Sequence, residues 1–490
     1  GVPVGTQLIG LEGAASAAVS TAGEPRVTPD MPFPTARPDP AAIAAANHES
    51  VASLMEKAGG GPRVSVVEGF DAAFVPEGRM APDDVAAQRR TIFTDDDGRS
   101  PPAATADPMV VRQRETDIDL TFLSEIGATG GLGPRAPARS LVLNLFRDVE
   151  FIAFLDRVEI VSTVGYAWVG TVAGVEGSLV IIGISDGVLT AAVDLGTAFY
   201  SVRPSGPGRY RISKVNRLAL PSFAPPVPVR TQPAGNEIAA DSGDVYDLLL
   251  LYTTAARANA GGTSAMNSLI TAGVAWVNAS YVASGIQTRC RLAAAVETGY
   301  AESGDIFDDL EVIQASTIAD ALRNQYAADV VSLLVSQDPQ WGGVGYLMTQ
   351  NDTSFAPWAY NVVVHYAWLP YLWSLGHEIG HNQGAHHEPG NGCPGLFPYS
   401  CGYTDFANKF YTVMSYGLGC SGCEIINQFS SPTIRYNGFA TGSATQDNAR
   451  TLNESRLAVA NFREFGGGAA PGAPSGLTSS VSGSNIGLGW

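Results

Sequence analysis

Hydrophobic and polar positions divide the 490-residue chain into stretches of different rhythm. Residues 1–135 are rich in Ala, Pro, Gly and Asp and show little periodicity, which predicts a loosely structured N-terminal region. Within it only Pro40–Lys57 reads as a helix, with Ile43, Val51 and Leu54 at near-helical spacing. From 136 to 220 the pattern changes to short β-type runs. Leu141–Phe146, Val158–Thr163, Ala167–Val172, Leu179–Ile184, Ala191–Leu195, Phe199–Val202 and Tyr210–Val215 are separated by Gly, Asp, Pro and Ser. Such spacing predicts an antiparallel sandwich or barrel. Residues 221–243, Pro- and Gly-rich with few apolar positions, read as a flexible linker.

A second architecture begins at Asp244 and runs to Phe465. Val245–Tyr252 is a nearly continuous apolar strand of the kind buried in a parallel sheet. Thr263–Ser284 follows as a long helix with Met266, Leu269, Ile270, Val274, Val277 and Tyr281 on its inner face. A strand (Cys290–Val296), a helix (Asp305–Tyr326) and a strand (Asp329–Val335) complete a βαβαβ order, which predicts a mostly parallel sheet with right-handed crossovers. Val344–Met348 and Asn361–Tyr366 bring the strands to five, Pro370 opens a helix over Tyr371–Gly384, and Asp447–Phe462 is a last amphipathic helix. The fold expected is therefore multidomain, a mostly β N-terminal part followed by an α/β domain. Residues 466–490 open as a Gly/Pro/Ala linker. Ser475–Trp490 then resembles the opening strands of a fibronectin type III module, which implies a natural chain continuing past Trp490.

Composition narrows the partners. A net charge of −18 and a pI near 4.7 argue against nucleic acid, which needs clustered Lys and Arg. No apolar run approaches the ~18 residues of a membrane span. Gly1 is not an initiator methionine, as expected if a signal peptide has been removed. Of five cysteines, four cluster after residue 390. Pairing Cys393 with Cys401 and Cys420 with Cys423 closes two short loops and implies an oxidising compartment. A second metal site is the alternative, although no histidine interleaves with them. Cys290 reads as a buried free thiol.

Four of the six histidines fall in one run, His377-Glu378-Ile379-Gly380-His381-Asn382-Gln383-Gly384-Ala385-His386-His387. Residues four apart share a helix face, so His377 and His381 can present two imidazoles to one ion, with Glu378 beside them free to act as a base. Gly384 can adopt the left-handed conformation that ends a helix and returns the chain. A third ligand then arrives from His387, with His386 as its competitor. Three nitrogens and an open position suit a catalytic zinc. His365 lies in an apolar strand and reads as a core residue; His48 reads as exposed. Asp95-Asp96-Asp97-Gly98 could bind calcium but lacks the later ligands of a calcium loop, so calcium is unsupported.

The pattern His377-Glu378-x-x-His381-x-x-Gly384-x-x-His387, with Tyr411-Thr412-Val413-Met414-Ser415-Tyr416 downstream, resembles the metzincin metalloproteases. Residues 244–465 most resemble bacterial reprolysin-like enzymes, including the peptidyl-Asp metalloendopeptidase type. The likeness rests on Leu250-Leu251-Tyr252-Thr253, Asn278-x-x-Tyr281-x-x-Ser284-Gly285-Ile286, Phe429-Ser430-Ser431-Pro432 and Asp447-Asn448-Ala449-Arg450. The resemblance implies a secreted zinc endopeptidase acting on protein or peptide substrates, with Glu378 as general base and Met414 in a turn beneath the metal. It also implies a propeptide over 1–220, as intramolecular inhibitor, and a strand at Gly343, Val344, Gly345 and Tyr346 that takes substrate by β-augmentation. Three departures stand out. Glu388 follows His387 where reprolysins place Asp. Tyr416 resembles the astacin and serralysin tyrosine, either a further ligand or oxyanion donor or a packing residue. Trp341 replaces a common cysteine. No cysteine precedes Cys290, so a propeptide thiol cannot cap the zinc. The expectation is instead that a segment of the first ~135 residues blocks the cleft, and that cleavage within 221–243, after Arg230, frees a domain beginning near Asp244. Two other readings remain open: an inactive interaction module, and a zinc amidase on a non-peptide substrate.

Overall fold

The computed structural model describes residues 91–94, 108–120, 139–162, 165–231, 245–338, 340–365 and 372–463, with the backbone of 478–482 and 485–489. The expected helix Pro40–Lys57, His48 and the run Asp95–Gly98 lie outside the described residues.

Nine strands form the N-terminal sheet: β1 (Phe93–Thr94), β2 (Val110–Ile118), β3 (Ser140–Phe146), β4 (Val149–Ile160), β5 (Gly165–Val172), β6 (Leu179–Ser185), β7 (Val188–Asp194), β8 (Phe199–Gly206) and β9 (Arg209–Val215). Every neighbouring pair is antiparallel, in the order β1-β2-β9-β8-β7-β6-β5-β4-β3. The sheet curls until its ends meet: Thr91 bridges Val142 of β3, and Ile92 N–H donates to Val142 O at 3.3 Å. Of the two shapes expected, a barrel is what forms. Strand alternation sorts the side chains. Tyr166, Trp168, Val180, Ile182, Leu189, Ala191 and Val193 fill the interior, while Ala167, Val169, Ile181 and Ala192 face outward. Along β5, β6 and β7 both faces are buried, so these strands read as nearly unbroken apolar runs. β1 and β2 come from a region expected to be loosely structured. Their polar outer positions masked the strand pattern, and pairing with β9 supplies the order.

The α/β half carries a six-stranded sheet of order β10-β14-β15-β13-β11-β12. Its strands are β10 (Val227–Pro228), β11 (Val245–Thr253), β12 (Arg289–Thr298), β13 (Val330–Val335), β14 (Gly343–Leu347) and β15 (Tyr360–Val364). β14 runs antiparallel to β15; every other pairing is parallel. The helices are α1 (Thr254–Ala260), α2 (Thr263–Ala283), α3 (Ile306–Ala315), α4 (Thr317–Gln325), α5 (Leu372–Asn382) and α6 (Asn448–Val459). The single helix expected over 305–326 is two. Ser316 sits extended between them, and its hydroxyl accepts the Ala319 N–H at 3.2 Å, capping α4. After α5 the chain is loop-rich, with short pairings of β16 (Thr404–Asp405), β17 (Phe410–Tyr411) and β18 (Glu424–Ile425), then the hairpin β19 (Arg435–Tyr436) and β20 (Phe439–Ala440). Cys393 is bonded to Cys401 and Cys420 to Cys423; Cys290 is free and buried. A hairpin of β21 (Thr478–Ser482) and β22 (Asn485–Gly489) lies near the end of the sequence.

Helix α2 lies between the two sheets. A Cβ at Gly183 would sit 2.4 Å from Ser268 O and 2.6 Å from Ala272 N, and one at Gly165 would sit 2.6 Å from Thr271 Oγ1. Glycine at these barrel positions is what lets the helix approach so closely. Thr190 and Ser268 hydroxyls meet at 2.8 Å in the seam. Barrel residues Ala167, Val169, Ile181, Ala192 and Phe199 thus share one core with Leu269, Ala272 and Trp276 of α2.

Residues 221–231, expected to belong to a flexible linker, are seated on the sheet edge. Ser222 bridges Trp341, Ala224 N–H donates to Gly343 O at 3.0 Å, β10 pairs with Tyr346 and Leu347, and Val229 N–H donates to Leu347 O at 3.4 Å. Ala224 and Val229 are buried. Prolines 225, 226 and 228 suggested a loop, but an edge strand tolerates residues that cannot donate. Among the described residues no helix is long and apolar enough to cross a membrane.

Candidate active site

α5 presents His377 and His381 one turn apart. The turn that follows it carries Gly384, whose φ of +89° is left-handed; a Cβ there would also lie 2.5 Å from Leu396 Cβ. The chain then doubles back and delivers His387. The Nε2 atoms of His377, His381 and His387 lie 3.0–3.2 Å from one another. That is close to the separation of about 3.3 Å expected of tetrahedral ligands on zinc with bonds of ~2.0–2.1 Å. Each Nδ1 faces a backbone carbonyl: Val413 O at 2.7 Å for His377, Ala385 O at 2.9 Å for His381 and Asn391 O at 3.3 Å for His387. A carbonyl can only accept, so each ring carries its proton on Nδ1 and turns a lone pair on Nε2 toward the common centre. All three rings are fully buried, and burial holds each pKa well below its ordinary value, His377 at about 3. Together they can hold one metal ion.

His386, the competitor, is turned away. It accepts the His387 N–H on its own Nδ1 at 2.7 Å, and its ring fills the space beside Gly392.

Glu378 is fully buried, and neither carboxylate oxygen has a hydrogen-bond partner among the described residues. Burial pushes its pKa well above the usual carboxylate range. A Cβ at Gly343 would lie 2.6 Å from Glu378 Oε1, and one at Gly345 would lie 3.0 Å from Glu378 O. The two glycines expected to bind substrate therefore also make room for this carboxylate. Val344 and Tyr346 between and after them are buried. The Asn382 amide donates to Tyr346 O at 2.8 Å and Tyr360 O at 3.1 Å, tying α5 to β14 and β15.

Met414 packs against α5 at Gly380. A Cβ at Gly380 would sit 2.7 Å from Met414 Sδ, so the glycine between His377 and His381 admits the thioether. Tyr416 packs its ring 4.1 Å from that of His387, and its buried hydroxyl has no partner among the described residues. Burial, then the nearby Glu378 and Glu388 carboxylates, push the Tyr416 pKa upward. Glu388 accepts the Tyr416 N–H at 2.9 Å and the Asn391 amide at 2.9 Å, joining the Met414 turn to the loop that holds His387.

One participant has no counterpart in the sequence reading. The Phe223 ring stacks on the His377 imidazole, centroids 3.9 Å apart and planes 21° from parallel. The only sequence signal was the apolar residues Phe223, Val227 and Val229 set among prolines. Among the described residues the segment beside His377 is thus 222–231; most of the first 135 residues, where a blocking segment is expected, lie outside the described residues.

Residues 242–430 match the family model Reprolysin_5, metallo-peptidase family M12. The peptidyl-Asp metalloendopeptidase of Xanthomonas campestris pv. campestris is 28% identical over 74% of this chain and 90% of its own length. That share exceeds the half of the chain after Val245, so the likeness extends into the N-terminal part. Enzymes of the same name from two strains of Stenotrophomonas maltophilia are 30% and 29% identical, over 71% and 70% of their lengths. These findings remove the inactive-module reading. The chain belongs to metallopeptidase family M12, as a reprolysin-like metalloendopeptidase.

Proposed function

We propose that the chain is a secreted, zinc-dependent endopeptidase made as a latent precursor, with its metal held by His377, His381 and His387. One observation carries the reading: three imidazoles of fixed tautomer converge beside the unpartnered carboxylate of Glu378. Zinc bound there supplies a Lewis acid for the scissile carbonyl and for water. Glu378, its proton affinity raised by burial, takes a proton from the attacking water and returns it to the leaving amine. The Tyr416 hydroxyl steadies the charge that develops on the carbonyl oxygen. Substrate lies extended along β14, pairing with the backbone of Gly343, Val344, Gly345 and Tyr346, on the edge that residues 222–229 fill.

In this scheme 1–135 and 136–220 form the propeptide, 221–243 join it to the metzincin catalytic domain 244–465, and 466–490 lead toward a fibronectin type III module. The propeptide acts as intramolecular inhibitor through Phe223 and its neighbours. The two disulfides fit an extracellular destination. The relatives' name makes peptide bonds beside aspartate the first substrates to test, against the amidase reading.

The deciding experiment is Glu378→Gln in the activated enzyme. Stoichiometric zinc should be retained, while turnover on casein falls at least ~100-fold, within the range of acid–base catalysis. Retained activity would remove the proton shuttle.

A further inference from the structure

The N-terminal part is attached to the α/β half by much more than its peptide connection. Along the seam α2 packs into barrel glycines, and the two halves share a core. At one end the Phe199 ring enters an aromatic group, 4.6 Å from Trp373 on α5 and 6.0 Å from Trp276 on α2. Nearby, Arg203 of β8 meets His365 at 3.0 Å, both buried. Arg217, just after β9, is a second anchor. It pairs with Asp194 of the barrel and crosses to Glu424 Oε2 at 3.2 Å and Ile425 O at 3.3 Å. Its guanidinium lies 5.3 Å from the Trp373 ring. Four residues further on, the chain enters the cleft at Pro221.

The anchoring contacts and the cleft-filling segment therefore lie on the same side of any cut after Thr231. Thr231 is itself held by the Ser354 hydroxyl at 2.7 Å. Cleavage between Thr231 and Val245 removes none of these contacts. It turns an intramolecular core into an interface of the apolar kind that permanent partners share. What covers His377 is the Phe223 ring, which offers no peptide bond to attack.

We propose that the N-terminal part, once severed between Thr231 and Val245, remains a tight non-covalent protein inhibitor of the catalytic half. It docks on α2 and along β14 with Phe223 on His377, and activity appears only when this part is itself removed. The proposal rests on the latent-endopeptidase reading above, and it revises the expectation that a cut after Arg230 frees the enzyme.

The test uses the full chain with a recognition site for a sequence-specific protease inserted between residues 231 and 245. After cutting, size-exclusion chromatography should find the two fragments co-eluting, with casein hydrolysis still low. Digesting away the N-terminal fragment should then release activity. Phe223→Ala in the same cut chain should raise activity at least about 10-fold while co-elution persists, as for loss of an aromatic hot spot. Fragments that separate on cutting would overturn the docking. Co-elution with full activity straight after the cut would overturn the inhibition. Co-elution reads docking without any activity. A co-eluting pair that stays inactive after digestion, with zinc bound, instead sinks the endopeptidase reading and the inhibition with it, while the docking stands.

Discussion

Two surfaces meet at the ring of His377, and they are built in opposite ways. Beneath it, the metal-binding group is local. His377, His381, Gly384 and His387 lie within one helix and its return, and their tautomers are set by carbonyls of Ala385, Asn391 and Val413. Above it, Phe223 comes from far back in the chain, held by edge pairing with β14 and by the Phe199 and Arg217 anchors. The three imidazoles come from eleven consecutive residues, with one distant contact from Val413 O, whereas Phe223 reaches His377 only through long-range contacts.

The largest expected effect separates the two adjacent histidines. His387→Ala should abolish zinc binding and activity, whereas His386→Ala should keep the metal. Atomic absorption on both variants decides it, and the reverse outcome would reassign the third ligand. Gly343→Ala should act within the lower surface without touching the metal. Its Cβ would fall 2.6 Å from Glu378 Oε1, so the carboxylate must shift. A misplaced base should lower kcat by at least ~10-fold with zinc content unchanged. An unaltered kcat would show that the carboxylate has room to spare.

The smallest effect probes the upper surface through pH. Burial, then the Arg203 charge, hold His365 well below its ordinary 6.5. The unfolded chain therefore binds a proton at this site that the folded chain refuses. The stabilisation is complete above the ordinary value and is lost as pH falls below it. Thermal midpoints of the full chain should drop between about pH 7 and about pH 5, and His365→Gln should lessen that drop. Equal drops would remove His365 from the account.

The sequence revealed what is written in a fixed period. Four-residue helical spacing placed His377 and His381, Gly384 marked the turn, and apolar runs bounded by turn residues located β11, β13 and β15. It was silent where partners are distant. The first half of β4 mixes exposed and half-buried positions and has no clean alternation until β3 and β5 pair with it. β10 hides among prolines. The break at Ser316 left only a faint trace in the sequence, a serine able to cap and Asp320 in the following turn, and the apolar spacing running through it dominated the reading.

Helix α2 answers to two neighbours at once, and this shapes what evolution can do with it. On its barrel side, Ala272 and the backbone of Ser268 lie against Gly183, and Thr271 lies against Gly165. On the proposed latent-precursor reading, a larger side chain at Ala272 or Thr271 would leave the finished enzyme's chemistry intact and still be rejected during its making. On that reading, selection on the precursor would be recorded in the mature protein as a strip of small residues facing water, long after the strands that required it have gone.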